Sequence, residues 1–129
     1  MRKFVEAKKE SVTEEKIQFA IEELEPFESL EAAGQMITDT DHNAFVYLLD
    51  TGNEFIYVQF AEETWPFLAQ ALEREDVPLL SWGQQVLPLD SFHEEMWMLI
   101  DNIEGNDNYG EAFHLAVEKA FHEALASRA

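Results

Sequence analysis

Two apolar runs separated by a short polar turn constrain the fold of this chain more than any other feature. The runs span residues 44–49 and 55–60, and both are rich in β-branched and aromatic residues. Residues 50–53, Asp-Thr-Gly-Asn, have the composition of a tight hairpin turn. Because both runs are apolar on both faces, we expect them to lie centrally in a sheet that helices cover on at least one side.

Shorter strands are predicted on either side of this hairpin. Residues 2–8, 16–21 and 35–38 favour strands before it, and residues 77–80 and 86–89 form short apolar pieces after it. Charged residues between the first two strands favour a turn there. Residues 22–31 favour a loop or a short helical turn, which Gly34 is expected to end. Pro78 and Pro88 favour edge strands or irregular segments.

Three amphipathic helices are predicted in the second half. The first begins near Thr64 and runs to about residue 75. Ser91, followed by Glu94, predicts a capping box at the start of the second helix. The third follows the polar segment 104–110. Their predicted inward faces are Trp65, Leu68, Ala71 and Leu72; Phe92, Met96, Leu99, Ile100 and Ile103; and Phe113, Val117, Ala120, Phe121 and Ala124.

The order of elements, strands first and helices mostly afterwards, predicts an α+β fold. We expect an antiparallel β-sheet of about five strands with about three helices packed on one face. The 129 residues are close to the commonest size of one domain, so residues 1–129 are predicted to form a single α+β domain.

The formal net charge of −19 is unevenly distributed. Residues 1–16 carry five basic and four acidic groups, whereas residues 17–129 carry three basic and 23 acidic groups. An acidic body of this kind repels phosphate and anionic lipid, which argues against direct binding of nucleic acid or membranes. A basic protein is the partner that this charge favours.

Cysteine is absent, which excludes disulfides, thiolate metal sites and thiol nucleophiles. The first ten residues have a basic start but lack the apolar stretch of a signal peptide. The longest apolar runs are far shorter than the roughly 20 residues that span a bilayer. We therefore expect a cytoplasmic protein, and no cofactor is predicted.

Four segments of the chain look familiar: residues 34–41 (Gly-Gln-Met-Ile-Thr-Asp-Thr-Asp), residues 44–47 (Ala-Phe-Val-Tyr), residues 63–65 (Glu-Thr-Trp) and residues 102–110 (Asn-Ile-Glu-Gly-Asn-Asp-Asn-Tyr-Gly). They resemble the YjbL-like proteins of Bacillus and Staphylococcus. The resemblance covers roughly residues 30–122. It implies a cytoplasmic protein of low-GC Gram-positive bacteria, and it implies no activity.

The first candidate site is the segment 39–43, Asp-Thr-Asp-His-Asn. Asp39 and Asp41 are two residues apart, so both carboxylates could approach a hard cation or another ligand. The segment lacks the full spacing of a calcium loop, and Asp and Asn also favour turns for local reasons. A turn is the simpler interpretation.

The second candidate is the polar segment between the last two predicted helices. Its oxygen-bearing residues Asn102, Asn106, Asn108 and Tyr109 could bind a metal or a polar ligand. The alternative is a helix end at Gly105 followed by an asparagine cap, with side-chain amides holding the two helices together.

The three tryptophans are candidates for a partner-binding surface, because exposed tryptophan is a common interface anchor. Trp65 lies on an inward helical face and is predicted to be in the core. Trp97 lies at the edge of its helical face. Trp82 precedes a glycine in a predicted turn, so it is the tryptophan most suited to binding a ligand or partner.

No arrangement of catalytic residues stands out in the sequence, and no catalytic or metal-binding residue is predicted. Five scattered glycines form no nucleotide-binding pattern, and no serine lies in a nucleophile elbow. The preferred hypothesis is a non-enzymatic interaction or regulatory module, for which a homodimer remains open. The alternative is a small metal- or ligand-dependent enzyme, which requires segments 39–43 and 102–110 to meet in one cleft.

Overall fold

The computed structural model describes residues 3–21, 30–52, 54–82 and 85–128. These residues form eight β-strands and four α-helices, and the predicted α+β class is confirmed. The strands are β1 (Lys3–Glu6), β2 (Lys8–Val12), β3 (Ile17–Ala20), β4 (Glu31–Asp39), β5 (Ala44–Asp50), β6 (Phe55–Ala61), β7 (Leu79–Trp82) and β8 (Gln85–Pro88). The helices are α1 (Trp65–Leu72), α2 (Phe92–Ile103), α3 (Glu111–Ala120) and α4 (His122–Arg128).

The strands are divided between two mixed four-stranded sheets, where the sequence predicted one antiparallel sheet. The first sheet has the order β1-β6-β5-β4 and the second has the order β2-β3-β7-β8. Each contains one parallel pair, β1 with β6 and β3 with β7. The amino-terminal segment contributes one strand to each sheet, β1 to the first and β2 to the second. Between β1 and β2, the buried Ala7 donates its N–H to the Gln59 carbonyl of the first sheet at 2.9 Å.

The predicted hairpin lies at the centre of the first sheet. Strands β5 and β6 pair antiparallel from Ala44 opposite Ala61 to Asp50 opposite Phe55. All of residues 44–49 are buried, as expected for a central strand. The turn that joins the strands is closed by a 3.0 Å hydrogen bond from the Thr51 N–H to the Glu54 carbonyl.

The turn predicted between the first two strands is displaced, because residues 8–12 form the additional strand β2. Non-local pairing with β3 stabilises this charged segment, with a bulge between Lys9 and Ser11. The turn lies instead at residues 13–16, where the Thr13 hydroxyl oxygen accepts the backbone N–H of Lys16 at 3.1 Å. The position of the turn therefore cannot be predicted from local charge alone, because pairing with β3 makes residues 8–12 a strand.

Strand β4 is longer than predicted, and it contains Gly34. The register of β4 against β5 shifts between Ala32 and Met36, and Gly34 lies within this bulge with a φ of +68°. Glycine tolerates this left-handed conformation, so Gly34 bends a strand and does not end a loop. Most of the loop predicted at 22–31 is not compared with the structure, because residues 22–29 lie outside the described residues.

The core fills the space on the inner face of the first sheet. Phe45 of β5 lies 5.2 Å from Trp65, 5.7 Å from Phe121 and 6.1 Å from Phe113, measured between ring centroids. Trp65 is fully buried, as predicted, and Trp97 is half-buried at the core's edge. The predicted faces of the first two helices are buried throughout. The third predicted helix is divided into α3 and α4, which meet at the buried Phe121.

The start of helix α2 is fixed by contacts with the first sheet, and the predicted capping box does not form. Ser91 has a φ of +64°, and its side chain makes no cap hydrogen bond. The Tyr47 hydroxyl instead donates to the Asp90 carbonyl at 2.6 Å. The Glu95 carboxylate accepts the backbone N–H of Met36 at 3.0 Å, and so satisfies a donor of β4.

Candidate functional site

The face of the first sheet that points away from the core carries exposed aromatic side chains. Along β6 the buried residues Ile56, Val58 and Phe60 alternate with residues that point to this outer face. The register of the four strands defines the outer face as Phe4, Glu6, Glu31, Ile37, Asp39, Ala44, Val46, Leu48, Asp50, Phe55, Tyr57, Gln59 and Ala61.

Three aromatic rings form the accessible apolar part of the outer face. Phe4 is 48% exposed and Phe55 is 43% exposed, and Tyr57 is half-buried between them. The rings of Phe4 and Tyr57 lie on neighbouring strands with their centroids 5.1 Å apart. Large exposed aromatics that lie together on one face are typical of interaction surfaces.

Carboxylates surround these rings. Glu6, Glu31, Asp39 and Asp50 occupy the outer ends and margins of the four strands, and no lysine or arginine is among the residues that define the outer face. This face therefore combines an apolar centre with a negative margin.

A pocket of about 370 Å³ opens at one end of the outer face. The rings of Phe4 and Tyr57 form part of its wall, and the turn after β4 forms the opposite side. Asp39 and Asp41, both predicted site residues, line this pocket. The other lining residues are Ile37, Thr38, Thr40, His42 and Val46.

The Asp39 carboxylate is held in a fixed orientation by three hydrogen bonds. One oxygen accepts the His42 Nδ1 at 2.8 Å and the Gln59 Nε2 at 3.1 Å. The other accepts the backbone N–H of His42 at 3.3 Å, which is the local turn chemistry that the sequence predicted. Asp41 is exposed at the pocket's edge. Within the described parts of the chain, no three His, Asp or Glu side chains are grouped closely enough to hold a metal ion.

Within the predicted polar segment 102–110, the Asn106 side-chain amide makes hydrogen bonds inside the loop. Asn106 donates its side-chain N–H to the Asn102 carbonyl at 3.0 Å, and its side-chain oxygen accepts the backbone N–H of Asn108 at 3.0 Å. The Tyr109 ring stacks on Phe113 with a centroid separation of 6.3 Å. These contacts hold the connection between α2 and α3 together.

The structure places the two polar segments on opposite faces of the first sheet. Tyr109 stacks on Phe113, which contacts Phe45 on the inner face, whereas Asp39 and Asp41 line the pocket on the outer face. No residue of 102–110 whose side chain the structure describes lines that pocket. Trp82 lies in the second sheet, where it is half-buried against the core at the end of β7 and pairs with Gln85 of β8. Its role in binding stays a prediction.

The aromatic residues of the outer face are the part of the candidate site that the sequence prediction missed. The composition of residues 55–60 predicts a strand that is apolar on both faces, but the alternation of Phe55, Tyr57 and Gln59 is a signal for one half-exposed face. Phe4 gave no such signal, because its neighbour Tyr57 is distant in sequence.

A second polar cluster connects three strands of the second sheet. The Glu10 carboxylate accepts hydrogen bonds from the Ser81 hydroxyl and from the Gln18 Nε2, the latter at 3.1 Å. The Lys16 ammonium donates to the Gln18 side-chain oxygen at 3.1 Å. The hydrogen bond from Ser81, followed by that from Gln18, holds the pKa of Glu10 below its ordinary value. This cluster links β2, β3 and β7.

The fold and the outer face define a small acidic α+β protein with an aromatic sheet surface. UPF0738, a family of unknown function, matches residues 5–121. The chain belongs to the UPF0738 family. No helix among the described residues has the length and apolar character needed to cross a lipid bilayer.

Several UPF0738 proteins are similar to this chain over most of its length. The protein from Lysinibacillus sphaericus is 36% identical over 126 residues, which cover 98% of this chain and 99% of that one. YjbL of Bacillus subtilis is 42% identical over 89 residues, covering 69% of this chain and 73% of YjbL. A Staphylococcus epidermidis protein is 41% identical over 97 residues, covering 75% and 80%. These relatives confirm the resemblance found in the sequence. No solved structure matches the chain.

Proposed function

We propose that this protein is a non-enzymatic interaction module of the cytoplasm, which binds a basic protein through the outer face of its first sheet. The observation that carries this proposal is the exposure of Phe4 and Phe55 beside Tyr57 on that face. Burying these rings against a partner removes apolar surface from water, at about 25 cal/mol for each Å².

The charge of the chain determines which class of partner fits. A net charge of −19, with carboxylates around the aromatic rings, attracts a basic surface and accelerates its association. The same charge opposes nucleic acid, whose phosphates are negative. It also opposes a second copy of this chain, since two such bodies repel each other.

The geometry gives less support to the enzyme hypothesis. That hypothesis needs segments 39–43 and 102–110 in one cleft, but they lie on opposite faces of the first sheet. The side-chain amide of Asn106 is also engaged within its own loop.

The proposal is tested by capture from a bacterial lysate with matched surface variants. Phe4→Ser and Phe55→Ser each remove one ring of the outer face. Leu115→Ser is the control, because Leu115 is 51% exposed but lies on helix α3. All three variants are expected to remain folded, since the replaced side chains are exposed; circular dichroism and urea unfolding check this.

The expected result is a basic protein, identified by mass spectrometry, that the wild type and Leu115→Ser retain and that both phenylalanine variants lose. Its retention should decrease as salt is raised, because the association is steered by charge. Identical sets of captured proteins for the wild type and all three variants would overturn the proposal. So would a captured partner that is acidic and bound independently of salt.

A further inference from the structure

The pocket at the end of the outer face combines two kinds of wall. The rings of Phe4 and Tyr57 lie on one side, and the carboxylates of Asp39 and Asp41 lie on the other. Among the described residues, no lysine or arginine lines it. Its volume of about 370 Å³ leaves room for one long side chain to enter from a partner.

We infer that this pocket receives an arginine side chain of the partner protein. The inference rests on the proposed function and specifies the chemistry by which that function recognises its partner. An arginine guanidinium is planar, so it stacks on an aromatic ring while its N–H groups donate to carboxylates. Both kinds of group are present in this pocket, at the margin of an apolar surface.

Asp39 is prepared to accept such a donor. His42 and Gln59 orient its carboxylate through the hydrogen bonds described above. An ionised carboxylate offers about four lone-pair positions, and these contacts together with the backbone N–H of His42 occupy three. One acceptor position is therefore left on a carboxylate whose orientation is already fixed, which lowers the entropic cost of binding.

Asp41 supplies the second carboxylate from a more exposed position. It lies two residues after Asp39, in the turn that forms the pocket's side. A guanidinium can donate two parallel hydrogen bonds, whereas an ammonium acts as a compact and strongly hydrated point charge. The combination of stacked rings and two carboxylates therefore favours arginine over lysine.

The experiment uses three short blocked peptides that share a Val-X-Val centre. X is arginine in the first, lysine in the second and citrulline in the third, which keeps the shape of arginine but lacks its charge. Each peptide is titrated into the isotopically labelled full chain, and amide chemical shifts give the affinity and the location. The shifts are expected at residues 37–42 and at Phe4 and Tyr57 of the pocket wall.

The arginine peptide is expected to bind about tenfold more tightly than the citrulline peptide, and measurably more tightly than the lysine peptide. Asp41→Asn should weaken binding of the arginine peptide about fivefold. Asp76→Asn is the matched control, because it removes the same charge from an exposed position outside the pocket. It should leave the affinity nearly unchanged.

Three results would overturn the inference: equal affinity for citrulline, equal affinity for lysine, or the same loss for Asp41→Asn and Asp76→Asn. Its failure can be distinguished from failure of the proposed function. If the arginine peptide fails but lysate capture still depends on Phe4 and Phe55, the interaction surface stands and the arginine pocket does not. If capture also becomes independent of both rings, both proposals fall.

Discussion

The Tyr47 hydroxyl donates a 2.6 Å hydrogen bond to the backbone carbonyl of Asp90. This bond joins the central strand of the first sheet to the residues just before helix α2. Tyr47 is fully buried whereas Asp90 is exposed, so the Tyr47 hydroxyl depends on this bond more than the Asp90 carbonyl does.

Removing this hydrogen bond should destabilise the fold. Tyr47→Phe keeps the ring but removes this bond, so we expect a loss of about 0.5–1.5 kcal/mol in the free energy of unfolding. Urea unfolding measures it. Tyr109→Phe is the control, because the half-buried Tyr109 retains its stacking on Phe113. Equal losses in the two variants would contradict the role assigned to the Tyr47 hydroxyl.

The same tyrosine should make stability sensitive to alkaline pH. Burial is the largest cause that raises the pKa of Tyr47 above its ordinary value, and the charges of Asp90 and Glu95 act in the same direction. The folded state therefore holds this proton more tightly than the unfolded state, whose tyrosine pKa is about 10. The contribution of this proton to the free energy of unfolding is fully present below about pH 10 and is lost as the pH rises further.

The measurement for this second prediction is the free energy of unfolding of the wild type and Tyr47→Phe at several alkaline pH values. The gap between the two proteins should narrow above about pH 10, because only the wild type carries this proton. A gap that stays constant through that range would show that Tyr47 does not contribute to the alkaline loss.

The second sheet supplies a third prediction, at Glu10. Ser81→Ala removes the hydrogen bond that contributes most to the lowered pKa of Glu10, so that pKa should rise towards its ordinary value. Carbon-13 NMR of the Glu10 carboxyl group during an acid titration measures the change. Ser11→Ala, directly after Glu10 on β2, is the control and should have little effect.

The change in the pKa of Glu10 should alter the stability of the fold in a defined direction. A lowered pKa stabilises the fold above the pKa of the unfolded state, and the contribution is lost as pH falls through the folded value. The free energy of unfolding at acid pH should differ between Glu10 and Glu10→Gln in the wild-type background. This difference should be smaller when both proteins also carry Ser81→Ala. An unchanged titration midpoint in Ser81→Ala would rule out the Ser81 hydrogen bond as the main cause.

The fourth prediction concerns the whole charge distribution. With a net charge of −19, repulsion among carboxylates opposes the compact state. Raising the ionic strength shortens the screening length to about 10 Å at 0.1 M, so the melting temperature should rise with sodium chloride. Calcium should raise it further at equal ionic strength. A melting temperature that does not move would show that repulsion is not a significant destabilising term.

Elements determined by local pattern could be predicted from the sequence, whereas those determined by distant contacts could not. The β5–β6 hairpin and the buried faces of α1 and α2 follow directly from residue spacing. Strand β2 was missed, because its Lys-Lys-Glu-Ser-Val sequence is stabilised by pairing with β3. The capping box at Ser91 was wrong, because contacts of Asp90 and Glu95 with the first sheet determine how α2 begins.

The candidate site was predictable to a similar extent. The composition of segment 39–43 identified Asp39 and Asp41, which do line a pocket, and predicted the turn that orients Asp39. The aromatic wall was not predictable, because Phe4 and Tyr57 become neighbours only through the parallel pairing of β1 with β6. Parallel pairing gives little signal in the local sequence, since the paired strands are joined by a long crossover.

The continuous segment from Lys3 to Val12 belongs to both sheets, and this has a consequence for the order in which the protein is built. Its partner in the first sheet, β6, is more than forty residues downstream, and β7, which completes the parallel pair of the second sheet, comes later still. On the ribosome, the first residues to emerge therefore wait for most of the chain before either sheet can close. Protection of the Ala7 amide in a nascent chain would mark the moment when the first sheet closes around this segment, because the Ala7 N–H bonds to Gln59 of β6.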